Sequence, residues 1–126
     1  MKKLFIITIL FSFQFNSLTQ NKYQQLLTNI KKDKIALKQD KASNDSIKLY
    51  LLDQFENKVF PHWIGRPWDY NGYTNTPYKG DIACGYFVST TLKHMGFNWN
   101  RYELAKMYSQ QIVEDVCDTS YVFDNL

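Results

Sequence analysis

The sequence predicts an α+β fold that is helix-rich, with one strand-like run. Three observations carry that expectation. Apolar residues recur at helical spacing in several separate stretches, a long aromatic loop interrupts them, and the one strand-like run, residues 119–123, stands just before the C-terminal residues. At 126 residues the chain accommodates one modest domain, and it shows no internal repeat or low-complexity tract.

In chain order, Met1-Lys2-Lys3 followed by the apolar run of residues 4–13 reads as the charged and hydrophobic regions of a secretory signal peptide, residues 1–19, with cleavage near Ser17-Leu18-Thr19. The run is too short to span a bilayer, and no cysteine follows it to carry a lipid, so the expectation is a secreted or periplasmic protein without a stable membrane anchor. The remaining residues, 20–126, are expected to form a single domain. Within residues 21–40, Tyr23, Leu26, Leu27, Ile30, Lys34 and Leu37 trace one helical face. The polar break at residues 41–46 is full of N-cap candidates and precedes Ile47, Leu51, Phe55 and Val59, spaced by four. That second helix is expected to stop near Pro61, whose ring disfavours helix in the residue before it.

Residues 62–79 form a loop rich in turn formers and in Trp63, Trp68, Tyr70, Tyr73 and Tyr78, flat amphipathic rings suited to stacking on sugars or gripping a peptide, or simply to covering the next helix. That helix is expected over residues 81–96, with Asp81 as N-cap, Gly96 as its end, and Phe87, Val88, Thr91, Leu92 and Met95 as its apolar face. Asn100 and Glu103 then make a reciprocal cap for a helix through residue 116.

Charge excludes little but weighs against nucleic acid. The formal charge of +3 falls to +1 without Lys2 and Lys3, and the lysines of residues 22–58 are interleaved with acids as on a solvated helix face. Two cysteines and two histidines lack any paired short spacing, so no metal or other cofactor is expected.

The chemistry centres on Cys84. A thiol in the first turn of a helix lies near the partial positive charge and unpaired N–H groups of the helix N-terminus, which favour the attacking thiolate. Gly80 and Gly85 leave little bulk around it. The competing expectation is that Cys84 is a small core residue, or is bonded to Cys117 as the two cysteines of an exported chain.

Together, residues 65–72 (Gly-Arg-Pro-Trp-Asp-Tyr-Asn-Gly) and the Cys84-Gly85-Tyr86-Phe87-Val88 run resemble two motifs of the papain-like cell-wall peptidases of the NlpC type: an aromatic turn G-x-P-Y-x-W-G-G and a nucleophile motif D-C-S-G-F-V. Gly65, Pro67, Gly72, Cys84, Phe87 and Val88 match; Trp68, Tyr70, Asn71, Ala83, Gly85 and Tyr86 differ. The resemblance implies the helix-rich N-terminal half of a papain-like α+β fold, its sheet half missing or very short, with Cys84 as nucleophile and Trp68 and Tyr70 lining the substrate's approach. It also implies thiol-dependent amide hydrolysis acting on peptide or peptidoglycan-like material. In that family the base is a histidine downstream of the cysteine, on a sheet, and no histidine follows His94 here.

His94, ten residues beyond Cys84 on one helix and so roughly 15 Å along its axis, cannot reach the thiol and is expected to be a cation at the helix C-terminus. His62 is expected to be a surface or stacking residue. Two expectations follow: a hydrolase whose chain is incomplete as given, or a non-catalytic exported binding module that contacts glycan or peptide through its aromatic loop.

Overall fold

The computed structural model describes residues 2–108 and 111–112. Over these the chain is helix-rich: α1 (Lys2–Gln39), α2 (Asn44–Gln54), α3 (Cys84–His94) and α4 (Arg101–Leu104), with a π turn (Phe55–Val59) and a 3-10 turn (Phe60–His62) prolonging α2. Strand pairing among the described residues is limited to two isolated bridges, joining Ile82 in parallel to Trp68 and antiparallel to Tyr73. No described helix is long and apolar enough to cross a membrane. Cys117 and the strand expected over 119–123 lie outside the described residues.

The face of α1 is the one its spacing predicts. Tyr23, Leu27 and Ile30 are buried, while Leu26, Lys34 and Leu37 flank them half-buried. The helix closes on Lys41, which takes a left-handed φ of 56°, while Ala42 N–H reaches back to Leu37 O at 3.0 Å and Lys41 N–H to Lys38 O at 3.2 Å. These two bonds satisfy carbonyls that a helix end leaves open. Ser43 then caps α2, its hydroxyl accepting from Ser46 N–H at 3.1 Å. Val59 is fully buried beneath the π turn, and Ile47, Leu51 and Phe55 are half-buried on the same side.

The core gathers Tyr23, Leu27, Ile30, Val59, Trp63, Ile82 and Met95. Burying an aliphatic side chain of this size contributes about 1.5–3 kcal/mol, so these few contacts hold α1 on α3. α3 ends as the sequence predicts. Gly96 has φ +82°, and Phe97 N–H and Gly96 N–H return to Leu92 O and Lys93 O.

Two helix expectations are corrected. Asp81 does not cap α3: Ala83 stands at the cap with no side-chain bond, because residues 81–83 stay extended to pair with the preceding loop. α4 stops at Leu104 instead of continuing. Lys106 N–H and Met107 N–H bond to the carbonyls three residues back, tightening the end of the helix. Asn100 does cap it, its Oδ1 accepting from Tyr102 N–H at 3.1 Å.

Candidate active site

The loop before α3 is tied to the segment that delivers Cys84. Ile82 N–H donates to Pro67 O at 3.1 Å, Ala83 N–H to Gly72 O at 2.9 Å, and Thr74 N–H to Asp81 O at 3.0 Å. The fit depends on Gly72, where an added Cβ would lie 2.5 Å from Ile82 N and 2.6 Å from Asp81 C. Within the loop, Asp69 Oδ1 accepts from Asn71 N–H at 2.7 Å and Asp69 O from Gly72 N–H at 2.9 Å, closing a tight turn that carries Tyr70. Thr74 Oγ1 donates to Lys79 O at 2.6 Å and closes the next turn. The residues that carry the aromatic motif and the cysteine motif are thus hydrogen-bonded neighbours.

Cys84 is the first residue of α3, and its thiol is free and exposed. It is therefore not a core residue. Gly85 beside it packs directly on the carbonyl of Ala105, where a Cβ would collide with backbone. Trp68 is 67 % exposed and Tyr70 81 %, so neither ring is spent on the core. Trp63 and Tyr78 are: Trp63 is buried, and Tyr78 packs against the core cluster. The loop's aromatics therefore divide between covering and display.

Both histidines belong to a hydrogen-bonded aromatic cluster. Trp63 Nε1–H donates to Tyr23 Oη at 2.9 Å, and Tyr23 Oη lies 3.0 Å from His94 Nδ1. The hydroxyl accepts from the indole and can donate its own proton to Nδ1, the arrangement in which the ring's proton sits on Nε2. Burial, then the charges of Lys31, Arg101 and Lys93, pulls His94 down from 6.5 to about 4. His94 is consequently a neutral, packed side chain at pH 7, not the helix-terminal cation expected, because a tyrosine 71 residues upstream accommodates it.

His62 packs on Tyr23 with ring centroids 4.9 Å apart, and its Nδ1 lies 2.6 Å from Tyr78 Oη; burial lowers its pKa as well. Tyr23, in the middle, is pushed up to about 12, chiefly by burial. Among the described residues the Cys84 thiol makes no hydrogen bond.

Beside this segment a cleft of about 520 Å³ opens, walled by Asp69, Tyr73, Lys79, Asp81, Arg101 and Tyr102 among others. Cys84, Trp68 and Tyr70 do not line it. Its wall depends on Arg101, a buried cation that the sequence reading did not single out. Arg101 Nε donates to Thr90 Oγ1 at 2.6 Å, and its Nη2 donates to the carbonyls of Tyr73 and Thr74. The guanidinium carbon also lies 4.8 Å from the Tyr86 ring centre and 5.5 Å from that of Tyr102. The available signal was positional: Asn100 as cap puts Arg101 in the first turn of α4, facing the α3 threonines. Among the described residues, no group of three or more His, Cys, Asp or Glu side chains could hold a metal ion.

Comparison with protein-family models, with curated proteins and with solved structures finds no match to this chain.

Proposed function

We propose that this chain acts as an exported papain-like thiol hydrolase that cleaves amide bonds, with Cys84 as its nucleophile and cell-wall peptide as its substrate class. One observation carries the reading: the free, exposed thiol of Cys84 opens α3, and the backbone of residues 81–83 just before it is hydrogen-bonded to the loop that displays Trp68 and Tyr70. In this reading the thiolate adds to the amide carbonyl, and the Cys84 backbone N–H at the helix N-terminus stabilises the resulting oxyanion. The intermediate expels the amine, and water hydrolyses the thioester. Trp68 and Tyr70 hold the peptide by stacking. The base is a group other than His62 or His94, since each is packed in the aromatic cluster with its Nδ1 held against a tyrosine hydroxyl.

The test is release of new amino groups from cell-wall peptides, followed by mass spectrometry, beside the alkylation rate of Cys84 across about pH 5–9. Expected are turnover lost in Cys84→Ser and alkylation of the thiol in the folded chain. A thiol that labels only after unfolding, or turnover unchanged by Cys84→Ser, overturns the proposal.

A second reading has its own observation. The cleft beside Tyr73 and Tyr102, rings 68 % and 57 % exposed, is walled by polar groups and excludes Cys84, as suits a binding module that grips glycan or peptide without cleaving it. Glycan or peptide binding that survives Cys84→Ser, with no cleavage by the unaltered chain, favours this second reading.

A further inference from the structure

At the end of α3 remote from Cys84, a second groove of about 430 Å³ runs between α1 and the turn after α3. Four of its lining residues are lysines, Lys31, Lys34, Lys38 and Lys93, and none is acidic. Along the sequence Asp33 stands among these α1 lysines, but the helix sorts them. Asp33 accepts a hydrogen bond from Tyr50 of α2 at 2.9 Å, away from the groove, while the three lysines share the other side with Lys93 of α3.

The floor is preformed. Lys34 Nζ donates to Gly96 O at 2.9 Å and lies 4.1 Å from the centre of the Phe97 ring. Gly96 has room only for its hydrogen, since a Cβ there would meet Lys31 Cγ at 3.1 Å. No ion pair neutralises any of the four lysines among the described residues.

The concentration of like charge is felt by its neighbours. Lys34 is lowered by burial and then by Lys38, and His94 beneath the groove is lowered by Lys31 and Lys93 in addition to its burial. Lysines spaced three and four residues apart put cations at intervals of about 4.5 and 6 Å along the helix. Lysine binds phosphate as a point charge. A concave channel admits a chain lying along α1 better than it fits a flat bilayer surface.

We propose that this groove binds a linear chain of phosphate groups, at a site separate from the thiol. Lys34 fixes the chain at the centre, Lys31 and Lys38 hold it on either side, and Lys93 closes the opposite wall.

The test is calorimetric titration of the full chain with sodium tripolyphosphate. The salt dependence of a flexible polyanion is about 0.7 per cation engaged, so four lysines predict roughly a fiftyfold loss of affinity between 50 and 200 mM salt. Lys31→Gln with Lys38→Gln, both exposed, is expected to cost at least tenfold without altering the fold, while Lys48→Gln with Lys58→Gln, elsewhere on the surface, changes affinity less than twofold. An equal loss in the two double variants overturns the site, because attraction is then due to overall charge. So does absence of binding at 50 mM salt, or binding to vesicles of anionic lipid with none to tripolyphosphate.

Discussion

Acidification from pH 7 destabilises this fold through His94, by an amount that follows from its surroundings. In the folded chain burial, and then three nearby cations, holds its pKa at about 4. In the unfolded chain the imidazole returns to about 6.5. A folded value below the unfolded one means that the unfolded chain takes up the proton first. Stability is therefore complete above about pH 6.5 and drains away as pH falls towards 4. At 1.36 kcal/mol for each tenfold step, the gap corresponds to roughly 3 kcal/mol in full, and to about 2–2.5 kcal/mol between pH 7 and 4.5. His62, lowered by burial, acts in the same direction. Urea unfolding at several pH values, for the unaltered chain and for His94→Gln, isolates the effect, because carboxylates titrate equally in both. Glutamine still offers Tyr23 an acceptor. The unaltered chain is expected to lose about 2 kcal/mol more than the variant over this range, and parallel curves would refute the argument.

Three further outcomes follow from other contacts. Arg101→Met removes hydrogen bonds from a buried cation to Thr90, Tyr73 and Thr74; a loss of about 3 kcal/mol and a fall in Tm of roughly 10 °C are expected in a thermal melt, with Arg101→Lys intermediate. Gly72→Ala forces a methyl group against the backbone of Asp81 and Ile82, so a loss of at least about 2 kcal/mol is expected by denaturant titration, and Gly85→Ala acts likewise against Ala105. Trp68→Ala and Tyr70→Ala, both exposed, are expected to stay within about 0.5 kcal/mol of the original stability while weakening binding of cell-wall peptides several-fold in a fluorescence titration.

How far the sequence was legible depended on the range of the interactions. The buried stripe Tyr23, Leu27, Ile30 and the glycine that ends α3 were readable because periodicity and caps are local signals. The Asp81 cap failed where a tertiary pairing competed: with its carbonyl held by Thr74 N–H, the chain stays extended until Ala83. His94 failed for a related reason. Helix-end electrostatics favoured a cation, yet it lies three residues after buried Thr91 and seven after Phe87, on the apolar stripe, and that spacing was the available sign that it packs inward. Cys84, Trp68 and Tyr70 were singled out from helix position and motif resemblance, whereas Arg101 and the lysine groove required knowing which helices meet. Interleaved charges in a sequence become separate faces only once a helix has a neighbour.

The π turn after α2 carries a consequence for chain length. Apolar residues spaced by four drift about 40° per step around an α-helix, so Ile47, Leu51, Phe55 and Val59 would wind away from α1. The wider turn at Phe55–Val59, with Phe60 N–H bonded five residues back to Phe55 O, brings Val59 back to the core. In effect the turn stores one extra residue. Deleting a single residue between 55 and 59 would let the segment relax to α-helix with the chain beyond it kept in register, whereas the same deletion within α2 would rotate everything that follows by about 100°. Trp63 would swing off Tyr23, and the aromatic loop would reach Cys84 out of register.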